Sequence, residues 1–321
     1  MLRFIWATNL ISENNSHSRL DRGSKRKNMK TYITIIAALA ALISCQKEGP
    51  ADLESDNQIT FEFGLPETKA TAENFEAGDR VSVWAVEYTS DGAPELQIGG
   101  NFLNNERLTY DGSKWTGRTM YWSENPCDFY AVYPDVQPSS VDSYVFEIAA
   151  DQNTPRTEAA LGRYEASDIL FAKAEGVRRE DGKVSLKFKH MMSKCVVNVV
   201  KGPKFEGELP EDIAVHIYNT VTTADLNLAN GSIEKYALGN RNTITMKKVS
   251  ADKFEAIVIP QNIERRTPLI EISMGGIAYL LEYSLSFKPG YQHTINLTVN
   301  TSPDQEKFEI AIDASSGNMN Q

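Results

Sequence analysis

The sequence predicts an all-β fold, and three observations support that prediction. Apolar and polar residues alternate with a period of two in many short runs, which is the pattern of a half-buried strand. Turn-forming pairs such as Asp91-Gly92 and Asn230-Gly231 separate these runs. The 13 Tyr and 13 Phe residues occur among many Val, Ile and Thr residues, a mixture typical of strands. Many short strands with such turns favour β-sandwiches over βαβ units.

The first alternating run occupies residues 58–65. It places four large apolar side chains on one face, namely Ile59, Phe61, Phe63 and Leu65. Similar alternation recurs at 184–188, 279–287, 295–299 and 308–312. Residues 81–86 are apolar on both faces, which predicts an interior strand. Helical periodicity is weak and is confined to residues 158–165.

The N-terminal region is a targeting signal. Residues 33–43, ITIIAALAALI, follow several basic residues and have the length of a signal-peptide core rather than of a membrane span. The next residues, Ser44-Cys45, complete an arrangement that resembles a bacterial lipobox. We therefore expect cleavage between Ser44 and Cys45 and lipidation of the Cys45 thiol. The alternative is an ordinary cleaved signal followed by an unrelated cysteine.

Residues 1–28 do not resemble a short basic leader, so the true start is expected at Met29.

The rest of the chain divides into a tether and two predicted domains. Residues 45–57 are polar and are expected to form a lipidated flexible tether. A polar segment begins at Lys201-Gly202-Pro203, and we place the boundary there. This gives a signal peptide at 1–44, an N-terminal β-sandwich domain at 58–201 and a C-terminal one at 202–321.

Composition and motifs argue against several functions. The formal charge of −10 and pI of about 5.1 disfavour nucleic acid as a partner. Four His and three Cys leave little material for a His/Cys metal site. The sequence contains no recognisable nucleophile, metalloprotease, phosphate-loop or dinucleotide motif. We therefore predict no catalytic residues, no metal and no cofactor.

Two cysteines other than Cys45 leave two alternatives open. Cys127 and Cys195 are candidates for a disulfide, which an oxidising cell envelope would permit. However, Cys195 shares a strand face with Val197 and Val199. A buried free thiol is therefore the second interpretation.

Five sequence blocks, in order, resemble the fimbrillin family of Bacteroidales, the subunits of type V pili and related surface lipoproteins. The blocks are Phe75–Trp84, Trp115–Pro134, Ser167–Lys194, Ile257–Gln261 and Phe287–Tyr291. Each block alone is weak, but five in order behind a lipobox are specific.

The resemblance implies two transthyretin-like β-sandwich domains in tandem and a non-enzymatic structural or adhesive role in a fimbrium. It also implies assembly with other fimbrillin subunits by donor-strand exchange, in which proteolysis removes the first strand and a neighbour's strand replaces it. In this chain the exchanged strand would be residues 58–65. Burial of its four apolar side chains is worth about 6–12 kcal/mol.

One feature departs from the family pattern. Family subunits that polymerise are cut after an Arg in the loop that follows the first strand, whereas this loop contains Lys69-Ala70 at the expected place. Either a protease that accepts Lys69 acts here, or the chain is an uncut tip, anchor or accessory subunit. The sequence leaves stalk, tip and anchor open.

A second function class is a monomeric outer-membrane lipoprotein that binds glycans. Six aromatic residues are candidates for a sugar platform, although core packing is the interpretation we prefer for them. They are Trp84, Trp115, Tyr121, Trp122, Tyr130 and Tyr133. Both functions place the protein at the cell outer membrane, and neither identifies a receptor.

Overall fold

The computed structural model describes residues 57–66, 74–301 and 309–320. Its first strands, in chain order, are β1 Phe61–Gly64, β2 Arg80–Glu87, β3 Leu103–Tyr110, β4 Trp115–Thr116, β5 Cys127–Tyr133, β6 Tyr144–Glu147, β7 Leu170–Val177, β8 Val184–Lys187, β9 Lys189–His190 and β10 Ser193–Lys204. The later strands are β11 Ala214–Val221, β12 Thr223–Leu226, β13 Ile233–Lys235, β14 Arg241–Thr245, β15 Lys247–Lys248, β16 Lys253–Val258, β17 Gln261–Ile263, β18 Pro268–Met274, β19 Ile277–Glu282, β20 Leu285–Phe287, β21 Tyr291–Thr301 and β22 Ile310–Asn318.

Helical structure is minor in the described residues. One α-helix, α1, covers Arg163–Ala166, and a single 3-10 turn covers Arg179–Asp181. Neither segment is long or apolar enough to cross a membrane. The prediction of an all-β protein is therefore confirmed, and the weak helical period at 158–165 corresponds only to α1.

A six-stranded antiparallel sheet organises the first half of the described chain, with the strand order β4-β3-β2-β5-β7-β9. Its central strands β2 and β5 are buried on both faces, which the sequence predicted for β2 from the apolar residues on both faces of 81–86. One face of β2 contributes Val81 and Val83 to a core that we call the N-terminal core. The other face contributes Trp84 to a second, larger core, which we call the central core.

The second half of the chain forms two further sheets around the central core. One has five strands in the order β15-β16-β10-β21-β22, and the other has four in the order β14-β11-β18-β19. Inward residues of β21 such as Ile295, Leu297 and Val299 are fully buried, whereas the residues between them are partly exposed. This is the alternation that the sequence shows at 295–299. A small ladder, β13-β12-β6, pairs strands from both halves.

The described strands include β10, which spans the predicted boundary at residue 201 and pairs with β16 and β21. The division into domains at 58–201 and 202–321 stays a prediction.

Candidate strand-exchange site

The strand predicted to be exchanged lies at the edge of the N-terminal core. β1 pairs in parallel with β8, with Phe61 opposite Val184 and Phe63 opposite Leu186. Two further backbone bonds extend this pairing, because Val184 N–H donates to Thr60 O at 2.9 Å and Phe188 N–H donates to Gly64 O at 2.8 Å. Among the described strands, β1 and β8 form a sheet of two.

The four side chains predicted to point inward do so. Ile59 is buried with 7% exposure, and Phe61, Phe63 and Leu65 are partly buried and pack against the N-terminal core. Residues Thr60 and Glu62 between them are exposed. Because three of the four remain partly exposed, their burial is worth the lower half of the range of about 6–12 kcal/mol expected from sequence.

Aromatic contacts determine what β1 covers. The Phe63 ring lies 4.9 Å from Trp115 and 5.7 Å from Phe188, measured between ring centroids. The Phe61 ring meets Phe129 edge-on at 6.0 Å. Phe188 and Phe129 are buried residues of the N-terminal core, so loss of β1 would expose to solvent two aromatic rings that are now shielded from it.

The second edge of β1 faces a cleft rather than a strand. The segment before β1 is joined to residues 120–122, because Ile59 N–H donates to Met120 O at 2.8 Å and Trp122 N–H donates to Asn57 O at 2.9 Å. Beyond that junction the two segments separate around an open cleft of about 670 Å³, lined by Phe61, Trp115 and their neighbours. β1 is therefore held by hydrogen bonds along one edge and at one end.

The outer face of β1 contributes little. Glu62 and Lys183 form an ion pair at 2.6 Å, with side chains 53% and 55% exposed. An exposed pair of this kind contributes about 0–1 kcal/mol. The contacts of the inner face therefore dominate the retention of β1.

A cavity of about 580 Å³ adjoins the end of β1 and is lined by Leu65, Phe75 and several polar residues. In its wall Arg156 donates to Asp79 at 2.8 Å, and the Tyr133 hydroxyl donates to the same carboxylate at 3.2 Å. Burial and the Asp79 carboxylate raise the pKa of Tyr133, so this phenol remains a neutral donor. The arrangement is a satisfied polar network and contains no activated nucleophile.

His190 also lines this cavity and is 4% exposed. Its Nδ1 lies 2.8 Å from Oδ2 of the buried Asp168, which holds the ring in place. Within the described ranges, no cluster of three or more His, Cys, Asp or Glu side chains could hold a metal ion.

Both remaining cysteines are buried free thiols. Cys127 belongs to the N-terminal core and Cys195 to the central core, so the disulfide considered from sequence is not formed. Burial raises the pKa of each thiol to about 12. At neutral pH these thiols are protonated and therefore unreactive.

The aromatic residues considered as a sugar platform are mostly core residues. Trp84, Trp122 and Tyr130 are buried, as our preferred interpretation expected, whereas Tyr121 is 46% exposed.

Several predicted site residues lie outside the described residues, namely Ser44, Cys45, Lys69 and Ala70.

Sequence reasoning missed the residues that hold β1 from the other elements. Trp115 lies in a two-residue strand, and Met120 and Trp122, which bond to the segment before β1, lie outside the regular strands. None of these positions has a periodic pattern that would signal its role. The alternation of Phe188 with Leu186 predicted that both side chains lie on the inward face, but nothing in the sequence indicated the contact of Phe188 with Phe63.

Two of the solved structures that this chain resembles have the same fold over most of their length. One, described as a cell adhesion protein from Bacteroides uniformis, aligns over 81% of this chain and 98% of its own, with a TM-score of 0.60 and 20% identity. The other, described in the same way and from Bacteroides ovatus, aligns over 81% and 97%, with a TM-score of 0.60 and 16% identity. At these identities the likeness shows the fold alone, that of an all-β sandwich protein.

The sequence comparison is more specific. The model of the family described as "Fimbrillin-like" matches residues 68–314, and the chain therefore belongs to that family. A Bacteroides uniformis protein described as fimbrium subunit Fim1C is 25% identical over 245 residues, which is 72% of this chain and 76% of that protein. A Bacteroides ovatus protein described as fimbrium tip subunit Fim1C is 27% identical over 135 residues, which is 39% of this chain and 24% of that protein. The family resemblance found in the sequence blocks is thus confirmed.

Proposed function

We propose that this chain is a non-enzymatic subunit of a fimbrium, carried to the cell outer membrane as a lipoprotein and assembled with other fimbrillin subunits by donor-strand exchange. Family membership and the fimbrial relatives support the fimbrial role. Lipidation at Cys45 would supply the membrane anchor. One described feature supports exchange above all others, namely the attachment of β1 along a single edge.

The exchange mechanism follows from the chemistry of that attachment. Once the chain is cut in the loop after β1, the described contacts that hold the segment are the β8 ladder, the junction at residues 57–59, the apolar contacts and the weak Glu62–Lys183 ion pair. A neighbour's strand with large apolar residues at every second position would restore the same backbone bonds and fill the same positions against the core. The buried surface of Phe188 and Phe129 provides the driving force for refilling.

Limited proteolysis tests this proposal. We would treat residues 46–321 briefly with trypsin and follow intact mass and unfolding. The proposal expects one early cut after Lys69, release of the segment that carries β1 once mild denaturant is added, and a lower melting temperature for the remaining body. A Lys69→Ala variant is the matched control and should resist that cut. If the body has an unchanged melting temperature after the segment leaves, β1 does not cover the core and the proposal is wrong.

The glycan-binding alternative receives no support from the described aromatic residues, since most of its candidates are buried. The proposal names no receptor.

A further inference from the structure

The cavity of about 580 Å³ beside the end of β1 combines an apolar wall with ionisable groups. The apolar wall consists of Leu65, Pro66, Phe75 and Leu170. The ionisable side chains that line it include Glu76, Asp79, Arg156, Glu165 and His190. A volume of about 300–1,000 Å³, with apolar walls and a few polar groups, is typical of a site for a small ligand.

His190 brings an unused hydrogen-bond acceptor to this cavity. Its side chain is 4% exposed, and its Nδ1 lies 2.8 Å from Oδ2 of Asp168. Because a carboxylate only accepts hydrogen bonds, Nδ1 of the neutral ring carries the proton and Nε2 keeps a lone pair. Nε2 forms no hydrogen bond with any residue that the structure describes. A polar atom of a side chain this deeply buried is stabilised by a partner, and the partner that Nε2 lacks is a donor.

Glu165, which belongs to α1, contributes a carboxylate of which one oxygen is paired. Lys247 donates to Oε1 at 2.6 Å, whereas Oε2 is buried and has no hydrogen-bond partner in the described ranges. Gly162 makes room for this oxygen, because a Cβ atom at that position would collide with it. The unsatisfied atoms of His190 and Glu165 are thus both acceptors.

The charges around the cavity favour a cation. Three carboxylates of its wall, those of Glu76, Asp79 and Glu165, face one guanidinium, that of Arg156. Counting Lys247 as well still leaves one negative charge in excess. Arg156 is already bound, since it contacts Asp79 at 2.8 Å and Glu76 at 3.3 Å. It therefore has little attraction left for an anionic ligand, whereas the excess negative charge attracts a cation.

From these observations we infer that the cavity binds a primary ammonium group carried on a short apolar body. An ammonium has three N–H donors and no acceptor, which suits the unsatisfied acceptors of His190 and Glu165. The apolar body would pack against Phe75 and Leu170. A free amine and the lysine side chain of another polypeptide share this chemistry. The inference goes beyond the proposed function and does not depend on it.

An NMR titration of the uncut chain with ¹⁵N-labelled histidine tests the inference. The variants His216→Gln and His293→Gln assign the ring signals, and the probe is benzylamine at constant pH. We expect benzylamine to shift the ring signals of His190 saturably, with half-saturation at about 1 mM, and to leave those of His216 and His293 unchanged. No shift of the His190 signals would overturn the inference.

Two probes of similar shape separate recognition of the ammonium from binding of the ring. Benzyl alcohol has no charge, and we expect it to bind about tenfold more weakly than benzylamine. Benzoate carries the opposite charge and should bind more weakly still. Equal affinity for benzyl alcohol, or tighter binding of benzoate, would overturn the inference.

A pair of variants tests the charge of the wall. Glu165→Gln keeps the shape of the side chain and removes its charge, and we expect benzylamine to bind about tenfold more weakly. Glu158→Gln changes an exposed carboxylate outside the cavity wall and is the matched control, which should bind as the parent does. Equal affinities in the two variants would overturn the inference.

The same titration with Nα-acetyl-lysine amide distinguishes the two sources of the ammonium. Tighter binding of this probe than of benzylamine would support a lysine side chain as the natural ligand. Tighter binding of benzylamine would support a free amine.

Discussion

β1 and β22 are both edge strands that cover a core with alternate apolar residues, but they are held very differently. β1 has four register pairs with β8. The exposure of the inward side chains does not distinguish the two strands, because Phe61, Phe63 and Leu65 on β1 and the inward residues Ile310, Ile312 and Ala314 on β22 are all partly buried. β22 has nine register pairs with β21, and the two residues after it, Met319 and Asn320, form hydrogen bonds with the backbone of Gly290 and His190. The comparison teaches that alternation alone does not identify an exchangeable strand. We expect the extent of pairing and the fixing of a strand's ends to decide whether the strand can leave.

The largest expected effect comes from removing each strand. A chain that ends before residue 309 loses a wall of the central core, and we expect it not to fold cooperatively. A chain that begins at residue 67 loses the burial of the β1 side chains, a free energy in the lower half of the range of about 6–12 kcal/mol. It should retain a folded body if the stability of the parent chain is typical. Circular dichroism during urea unfolding would distinguish the two. A cooperative unfolding transition in the chain without β22 would contradict the expectation that β22 is needed for folding.

Two phenylalanine substitutions sharpen the distinction within the N-terminal core. Phe188→Ala removes a ring that is 2% exposed, and we expect a loss of about 3–5 kcal/mol of unfolding free energy. Phe63→Ala should cost less, about 1–3 kcal/mol, because the ring is partly exposed. The decisive measurement is made after cleavage, when the Phe188→Ala body should still lose stability relative to the cut parent. The Phe63→Ala body should then match the cut parent, since the substituted residue has departed.

The β21–β22 region is expected to respond to acid through His293. Burial first, and then the nearby Lys288 charge, lower the pKa of His293 from 6.5 to about 4. Because the unfolded chain binds a proton below pH 6.5 while the folded chain does not, stability is present above pH 6.5 and falls as the pH drops towards 4. The loss attributable to this residue is about 3 kcal/mol.

The measurement is the unfolding free energy at pH 7 and at pH 4 for the parent chain and for His293→Gln. We expect the parent to lose about 3 kcal/mol more than the variant over this interval. His216→Gln is the control, since His216 is only partly buried. Equal losses in parent and His293→Gln would contradict the assignment.

The smallest effect is expected on the outer face of β1. Glu62→Gln removes the exposed ion pair with Lys183 and should change the unfolding free energy by less than about 0.5 kcal/mol. The rate at which the cut segment dissociates should also be nearly unchanged. A large increase in that rate would show that the outer face, and not the aromatic contacts, retains β1.

Much of the fold was predictable because its strands show the two-residue period locally. The run at 58–65 predicted β1 and its inward residues, and the doubly apolar run at 81–86 predicted the interior strand β2. The parallel pairing of β1 with β8 was not predictable, because it joins segments about 120 residues apart in the sequence and depends on tertiary packing. The hydrogen bonds between the Asn320 side chain and the His190 backbone were also not predictable, since Asn320 lies in a polar tail and its partner is a backbone group.

We propose above all that β1 is the strand that leaves and can be replaced. The direct test adds a synthetic peptide of residues 57–66 to the cut body after its own segment has been removed, and follows the melting temperature. We expect saturable recovery towards the melting temperature of the uncut chain, and little recovery with a peptide in which Phe61 and Phe63 are replaced by Ala. No recovery with the natural sequence, or equal recovery with both peptides, would contradict it.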